Sequence, residues 1–249
     1  MKIALIGYGK MGKAIEKIAL SRGHEIVSRI DFDNQDDFES PEFASADVAI
    51  EFTTPATAVA NYLKAFAAGV PVVSGSTGWT ERMPEIKAIC DRGEATFFWT
   101  SNYSLGMNIF FAVNRYLAAL MSGFPQYHPE MTEIHHIHKL DHPSGTAITL
   151  AEGIIAKDPS IKSWTEENAA ADQIPVTALR EGEVPGTHII KWDSAVDSIT
   201  ITHEAKSREG FALGAVVAAE WVKGKKGFLT MDEMMHSLVE QSQLLDIIK

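Results

Sequence analysis

The sequence predicts an α/β protein in which a doubly wound parallel sheet is joined to a second, mixed α/β domain. Three observations carry that expectation. An apolar strand, Lys2–Ile6, runs straight into the glycine loop Gly7-Tyr8-Gly9-Lys10-Met11-Gly12 and then into an amphipathic helix. Strand and helix signals alternate through the first hundred residues, a rhythm that demands crossover connections and therefore parallel pairing. After Asn102 the rhythm gives way to longer alternating strands with little helix between them, the mark of a more antiparallel unit.

Each element has a local reason. The first helix is expected from Lys10 to Arg22, with Met11, Ile15, Ile18 and Ala19 as its apolar stripe and Gly23 as its stop. Glu25–Ile30 reads as the second strand, ending at Asp31, and Val48–Phe52 as the third. A helix over Thr57–Ala68 closes at Gly69, Val70–Ser74 is the fourth strand, Pro84–Asp91 a helix and Ala95–Thr100 the fifth strand. Leu105–Met121 is apolar nearly all round and reads as a buried connecting helix. Glu130–His138 alternates as a strand, Ser144–Ala156 is helical, and Pro175–Leu179, Thr187–Trp192 and Ser198–His203 are strands joined by turn residues such as Glu183, Pro185 and Gly186. Helices over Phe211–Lys223 and Met231–Leu245 are placed to fold back onto the first domain. The expected division is residues 1–103, completed by 210–249, for dinucleotide binding, and 104–209 for substrate binding and oligomerisation.

Composition narrows the function. A chain of 249 residues with 45% hydrophobic and 22% charged residues has enough apolar surface for a substantial core. Its net charge of -11 argues against nucleic acid or an anionic membrane as a partner. Any small anion must therefore be held by a local basic pocket. The single cysteine, Cys90, excludes an intramolecular disulfide, argues against a thiolate metal site within one chain, and is expected to be a small core residue. The N-terminal apolar run is too short for a signal sequence, and Asn114 and Arg115 break the longest greasy stretch, so the expected compartment is the cytoplasm.

The glycine loop carries the first chemical signal. Its first glycine permits the tight turn, its second lets a pyrophosphate approach the backbone, and its third lets helix pack on strand. A phosphate then lies at the positive end of the helix. Asp31, nineteen residues past Gly12, sits where a carboxylate would accept the ribose hydroxyls of a dinucleotide. That carboxylate repels a 2′-phosphate and Phe32 follows it in place of an arginine, so NADH is favoured over NADPH, although Arg29, Lys10 and Lys13 could supply positive charge. Phe52-Thr53-Thr54-Pro55 and Gly75-Ser76-Thr77-Gly78 end strands where such a sheet binds ligands, and each could equally be an ordinary strand-to-helix turn.

The second signal is Glu133-Ile134-His135-His136-Ile137-His138-Lys139-Leu140-Asp141-His142-Pro143-Ser144-Gly145-Thr146-Ala147, in which four histidines and a lysine precede a helix start. In an extended strand His135 and Ile137 face one side and His136 and His138 the other, so a bend at Asp141-His142-Pro143 is needed to bring them together. Ser144 is the expected N-cap, and the N–H groups of Gly145 and Thr146 are offered to an anion, naturally a carboxylate. Lys139 can neutralise a second carboxylate or donate a proton, and His135 and His136 share the catalytic or substrate-binding work. His138 and His142 read as imidazoles satisfying buried hydrogen bonds. A metal is not expected, because His136-x-His138 lacks further ligands at a recognised spacing.

With both motifs in place, the chain resembles the 4-hydroxy-tetrahydrodipicolinate reductases (dihydrodipicolinate reductases) of lysine and diaminopimelate biosynthesis. The resemblance runs end to end: the glycine loop, Phe52-Thr53, Ser74 to Gly78, Ser101-Asn102-Tyr103-Ser104, Glu133 to Ala147, Arg180-Glu181-Gly182, and Arg208 to Gly214. The signature E-x-H-H-x-x-K-x-D-A-P-S-G-T-A is matched throughout, except that His142 stands where the family has alanine. The resemblance implies a Rossmann-type domain completed by C-terminal helices, an inserted substrate domain that builds a homotetramer, and domain closure that brings cofactor and substrate together. It implies that His135 exchanges a proton, that Lys139 donates one, and that His136, Ser144, Gly145 and Thr146 bind a small dicarboxylate. The cofactor would be held by Gly7 to Gly12, Asp31, Phe52 and Thr53, Gly75 to Thr77, and Thr100 to Tyr103. Another imine or amino-acid dehydrogenase of the same fold and a non-catalytic NAD-sensing protein remain as rival readings.

Overall fold

The computed structural model describes residues 1–207 and 209–241, and its chain forms two compact units. The first comprises Met1–Leu105 and the C-terminal segment from Glu209. Its N-terminal part runs β1 (Lys2–Ile6), α1 (Lys10–Ser21), β2 (Glu25–Ile30), a 3₁₀ turn, α2 (Pro41–Ala44), β3 (Val48–Glu51), α3 (Pro55–Ala67), β4 (Val72–Ser74), α4 (Met83–Asp91) and β5 (Thr96–Trp99). The second unit, Gly106–Arg208, holds nearly all of α5 (Leu105–Met121), then β6 (His128–His135), α6 (Gly145–Ile155), β7 (Ser163–Thr165), β8 (Gln173–Arg180), β9 (Thr187–Asp193) and β10 (Ser198–Glu204). The chain then returns to the first unit with α7 (Glu209–Val222), β11 (Gly227–Thr230) and α8 (Met231–Gln241). Arg208 and the positions 242–245 expected to extend the last helix lie outside the described residues.

The first sheet has the order β11-β5-β4-β3-β1-β2, and its pairs are parallel. β2 lies on one side of β1, and β3, β4 and β5 succeed one another on the other, so the strand order reverses beside the glycine loop. Ligands of doubly wound sheets bind at such a reversal, outside the strands' carboxyl ends. Alternate residues of the strands feed two cores. Ile3, Leu5, Ile50, Val73 and Phe98 pack with α1 and α7, while Ala4, Ile6, Ala49, Val72 and Phe97 pack with the α3 and α4 side, where Cys90 is buried. β11 has no counterpart in the sequence expectation: four residues beginning at a glycine show no alternation, and pairing with β5 creates the strand.

α7 explains how the C-terminal segment completes this unit. Ala212, Ala215, Ala218 and Ala219 are buried, a small-residue face that lets the helix approach the sheet closely. At Gly214 the approach is at its limit, because a Cβ there would lie 1.7 Å from the carbonyl oxygen of Tyr103.

The second sheet is mixed, ordered β10-β9-β6-β8-β7, with β9 antiparallel to β10 and β6 and the β6, β8 and β7 pairs parallel. Its core joins Met131, Ile174, Val176, Ile190 and Trp192 to buried residues of α5 and α6. The expectation of a fully buried α5 needs correction. Ile109, Val113, Tyr116 and Leu120 stand 42–54% exposed along one stripe, because only the opposite face meets this core. Among the described residues no helix is long and apolar enough to cross a membrane.

Gly214→Ala should destabilise the protein by about 3 kcal/mol, the upper part of the usual range for overpacking against atoms that cannot yield. Equilibrium denaturation tests this, and a midpoint equal to that of the unsubstituted protein would show that α7 can shift at little cost.

Candidate active site

The loop after β1 is shaped by its glycines. Gly7 has φ +90 and donates its N–H to the Ile30 carbonyl at 2.8 Å. A Cβ on Gly7 would lie 2.1 Å from the Phe52 carbonyl oxygen, and one on Gly12 would lie 2.2 Å from that of Gly7. These two positions therefore let β1, β3 and α1 converge. Gly9 meets nothing within 4 Å, and α1 starts after it without a side-chain cap or an acid in its first turn. The open cradle and the uncapped N–H groups fit a dinucleotide pyrophosphate. Met11 packs inward and Lys10 is exposed.

Asp31 lies beside the same loop. Its Oδ2 accepts the Tyr8 N–H at 3.3 Å and its Oδ1 accepts the Phe32 N–H at 2.9 Å. Asn34 braces the turn, accepting from the Asp31 N–H and donating to the Arg29 carbonyl.

Sequence reasoning missed Glu51, the last residue of β3. It is fully buried and accepts from the Thr53 N–H at 3.0 Å, the Ser76 hydroxyl at 2.9 Å, the Ser74 hydroxyl at 2.6 Å and, in a short contact, the Thr53 hydroxyl. Burial pushes its carboxyl pKa upward, against the pull of these donors. One carboxylate thus ties the loop at Thr53 to the loop at Ser76, and Gly75 allows the Phe52 ring to approach where a Cβ would lie 2.1 Å away. The available signal was an acid closing the otherwise apolar strand Val48-Ala49-Ile50-Glu51 just before two clusters of hydroxyl residues.

Beyond β5, Thr100 and Asn102 hydrogen-bond each other, and Ser101 is exposed. The Tyr103 ring is buried and donates its hydroxyl to the Ser74 carbonyl at 2.7 Å. Tyr103 therefore braces the loop containing Gly75 and Thr77 from below, and its side chain does not face an open site.

In the second unit β6 stops at His135, three residues short of expectation. Main-chain bonds from Ile137 to Gly182 and from Lys139 to His136 turn the chain there, so strand alternation does not place His136 and His138. Glu133, fully buried, organises the turn. Its Oε1 accepts from the Ser144 N–H at 2.9 Å and from Arg180 Nη2 at 3.1 Å. Its Oε2 lies 2.9 Å from His135 Nδ1, an ion-pair distance at which the two atoms are poorly aligned for a hydrogen bond. Burial opposes ionisation of Glu133, but the groups of His135 and Ser144 outweigh it and hold the pKa at about 2.

His188 stands 3.9 Å from the same carboxylate, and burial, reinforced by the charge of His135, pushes its pKa down to about 4. Arg180 also donates to the Asp141 carbonyl at 2.6 Å. At Gly186 a Cβ would lie 2.9 Å from His135 Nε2, so the glycine makes room for the ring.

Lys139 pairs with Asp141 at 2.8 Å, an ammonium that, with the N–H of Gly145, lowers the Asp141 pKa. Ser144 caps α6 by accepting the Ala147 N–H at 3.1 Å, and Gly145 faces open space. His136 and Thr146 are half-buried, and the His136 ring packs against that of His138. His138 and His142 are exposed and paired with Glu183 and Glu166, which corrects the expectation of buried imidazoles. Ligand atoms of Glu133, His135 and His188 lie within 4.8 Å of one another; the Arg180 guanidinium takes Oε1 of that carboxylate, and Oε2 faces the two imidazoles. The cluster suits proton exchange beside a bound anion.

A doubly wound sheet bearing this glycine loop defines a dinucleotide-binding protein. Two family descriptions match: "Dihydrodipicolinate reductase, N-terminus" over residues 1–103 and "Dihydrodipicolinate reductase, C-terminus" over residues 106–235. The chain is 48% identical to the 4-hydroxy-tetrahydrodipicolinate reductase of Christiangramia forsetii, covering 96% of this chain and 99% of that one. It is 35% identical to the enzyme of that name from Archaeoglobus fulgidus, over 94% of this chain and 100% of the relative. A solved structure of dipicolinate-bound dihydrodipicolinate reductase from Paenisporosarcina sp. TG-14 shares the fold, with a TM-score of 0.72 at 22% identity over 92% of this chain and 97% of that one. The chain belongs to the dihydrodipicolinate reductase family.

The buried His188 gives the stability a pH dependence of known sign. Unfolded, it titrates near 6.5; folded, at about 4. The unfolded state takes up the proton first, so stability is complete above pH 6.5 and is lost as pH falls from there to about 4, by at most about 1.4 kcal/mol per pH unit. Glu133, with an ordinary value of 4.5 and a folded value of about 2, adds a second loss below pH 4.5. His188→Gln should flatten the limb between pH 6.5 and 4 in equilibrium denaturation. An unchanged slope would mean that His188 is not neutral in the folded protein.

Proposed function

We propose that this protein reduces 4-hydroxy-tetrahydrodipicolinate to tetrahydrodipicolinate in the diaminopimelate route to lysine, using NADH in preference to NADPH. The carrying observation is that the Lys139 ammonium and the N–H of Gly145 at the start of α6 both serve one carboxylate, Asp141, on the turn that follows His135, so a substrate carboxylate can take its place. Near-complete coverage of reductases bearing that name supports the same reading. The bound nicotinamide supplies the hydride.

The chain's own residues bind the dianion and manage the proton. The Gly145 and Thr146 N–H groups receive one carboxylate at the positive end of α6. Lys139 and His136 receive the other, with the substrate replacing Asp141 as the ammonium's counter-ion. Lys139 then delivers the proton that quenches the reduced ring, and the 4-hydroxyl group leaves as water, so that hydride, proton and departing water balance the conversion. His135 exchanges protons through Nε2, while Glu133 lies at ion-pair distance from its Nδ1 and stabilises the imidazolium. A charged ammonium and fixed N–H dipoles also favour the transition state in which electron density builds on the ring.

In the first unit, Gly7 to Gly12 would hold the pyrophosphate, Asp31 the ribose, and the segments Phe52–Thr53, Gly75–Thr77 and Thr100–Tyr103 the nicotinamide end. No metal takes part in this scheme. The exposed stripe Ile109, Val113, Tyr116 and Leu120 supports assembly into a homotetramer, since an apolar helix face of that length is normally covered. The proposed setting is cytoplasmic, with neither nucleic acid nor membrane as a partner.

Lys139→Ala should lower turnover by about 10²–10⁴-fold, the usual contribution of one positioned proton donor, with the far-ultraviolet spectrum unchanged. Substrate-dependent NADH oxidation measures this, and turnover within a few-fold of the unsubstituted protein would remove Lys139 from the mechanism.

Pyridine-2,6-dicarboxylate should compete with substrate, while pyridine-2-carboxylate should bind far more weakly. Removing one charged partner from a desolvated pair costs roughly 2–5 kcal/mol. Inhibition constants for the two acids decide the matter. Equal potency would show that a single carboxylate is read.

A further inference from the structure

At the ribose corner of the first unit lies an ion pair that the proposed chemistry does not use. Arg29, in β2, directs its guanidinium onto Glu16 of α1, whose Oε1 accepts from Nε at 3.0 Å and from Nη2 in a shorter contact. The other oxygen of Glu16 accepts the Tyr8 hydroxyl in a second short contact. Tyr8 belongs to the glycine loop, and Asp31 accepts its N–H at 3.3 Å while the Arg29 guanidinium lies 5.8 Å from its ring centroid. The ribose carboxylate and the guanidinium thus flank one residue. The Glu16 side chain is only 13% exposed, whereas that of Arg29 is 43% exposed.

We propose that Glu16 is a cofactor-selectivity determinant, holding Arg29 in an ion pair and so withholding the cation that a 2′-phosphate would need. The inference rests on the NADH reading above and gives it a second cause besides Asp31. A planar guanidinium is the side chain best suited to grip a phosphate, and arginines near this corner accommodate the 2′-phosphate of NADP in doubly wound folds. Here that fork is satisfied within the protein. With Arg29 neutralised, Asp31 dominates the local field and repels a further dianion. Phe32, 87% exposed beside Asp31, brings no compensating charge. Lys13, whose ammonium lies 5.8 Å from the Tyr8 ring, and the exposed Lys10 remain as flexible cations without the fork geometry.

The test uses adenosine fragments and reads binding rather than turnover. Calorimetric titration of the whole protein with ADP and with 2′,5′-ADP should show ADP bound more tightly. In Glu16→Gln, 2′,5′-ADP should gain about tenfold relative to ADP, because a charge-assisted pair is exchanged for a weaker neutral bond and the guanidinium is released. The double variant Glu16→Gln with Arg29→Ala should return to the original ratio, and Arg29→Ala alone should leave it within about twofold, as expected for a cation already paired. The single arginine variant needs no tolerance of the Glu16 change, so it stands if Glu16→Gln folds poorly. A selective loss of 2′,5′-ADP affinity in Arg29→Ala, or an unchanged ratio in Glu16→Gln, would overturn the proposal while leaving the dinucleotide site intact. Failure of the unsubstituted protein to bind ADP at all would overturn both.

Discussion

A carboxylate buried away from water is tolerated only where fixed donors replace its hydration, and the second unit is organised around one. Glu133 has no exposed surface, yet it remains ionised because the main chain at Ser144, the guanidinium of Arg180 and the imidazole of His135 converge on it. Each partner belongs to a different part of the site. Ser144 begins α6, Arg180 ends β8, and His135 ends β6. The same charge that fixes the imidazole therefore also fixes the helix start that would receive a substrate carboxylate. Removing it would leave a buried guanidinium uncompensated as well as a loosened ring. Site geometry and local stability are two consequences of one interaction.

The first unit repeats the device with neutral donors. Glu51 is surrounded by hydroxyls and a main-chain N–H instead of a cation, and burial accordingly raises its pKa where that of Glu133 falls. The contrast follows from what each must do. Glu51 joins two loops at the ends of neighbouring parallel strands, a task that needs geometry more than charge. Glu133 faces an imidazole proposed to exchange protons, and an ionised carboxylate at ion-pair distance would stabilise the imidazolium that forms.

What was legible in the sequence was whatever depends on local backbone constraints. Gly7 and Gly12 announced the loop because no side chain fits where strand and helix converge, and Ser144 announced a helix start because it supplies an acceptor for the Ala147 N–H. Leu105–Met121 was readable to the residue as a helix, but its environment was not, since periodicity records apolar faces without saying what covers them. β11 was invisible because four residues become a strand only through pairing with β5. Glu51 and Glu133 were visible only as acids among apolar neighbours, and their partners come from 23 and 47 residues away in the chain. The end of β6 at His135 likewise depends on Gly182 and Glu181, whose main chains take up the bonds that a longer strand would have used.

The net charge of -11 poses a problem that the two sites solve in opposite ways. A dicarboxylate approaching such a protein meets a repulsive mean field, so capture depends on charges within a few ångströms, where screening by salt is weakest. The second unit concentrates them: Lys139 lies within ion-pair distance of Asp141, and the N–H groups of Gly145 and Thr146 add a fixed positive end that needs no counter-ion. Asp141 pairs with the ammonium at 2.8 Å, so on the proposed reading arrival of the dianion would exchange one ion pair for another. The ribose corner does the reverse. There Glu16 pairs with the exposed cation and leaves Asp31 without one, so on the proposed reading the acidity of the surface would serve to refuse an extra phosphate.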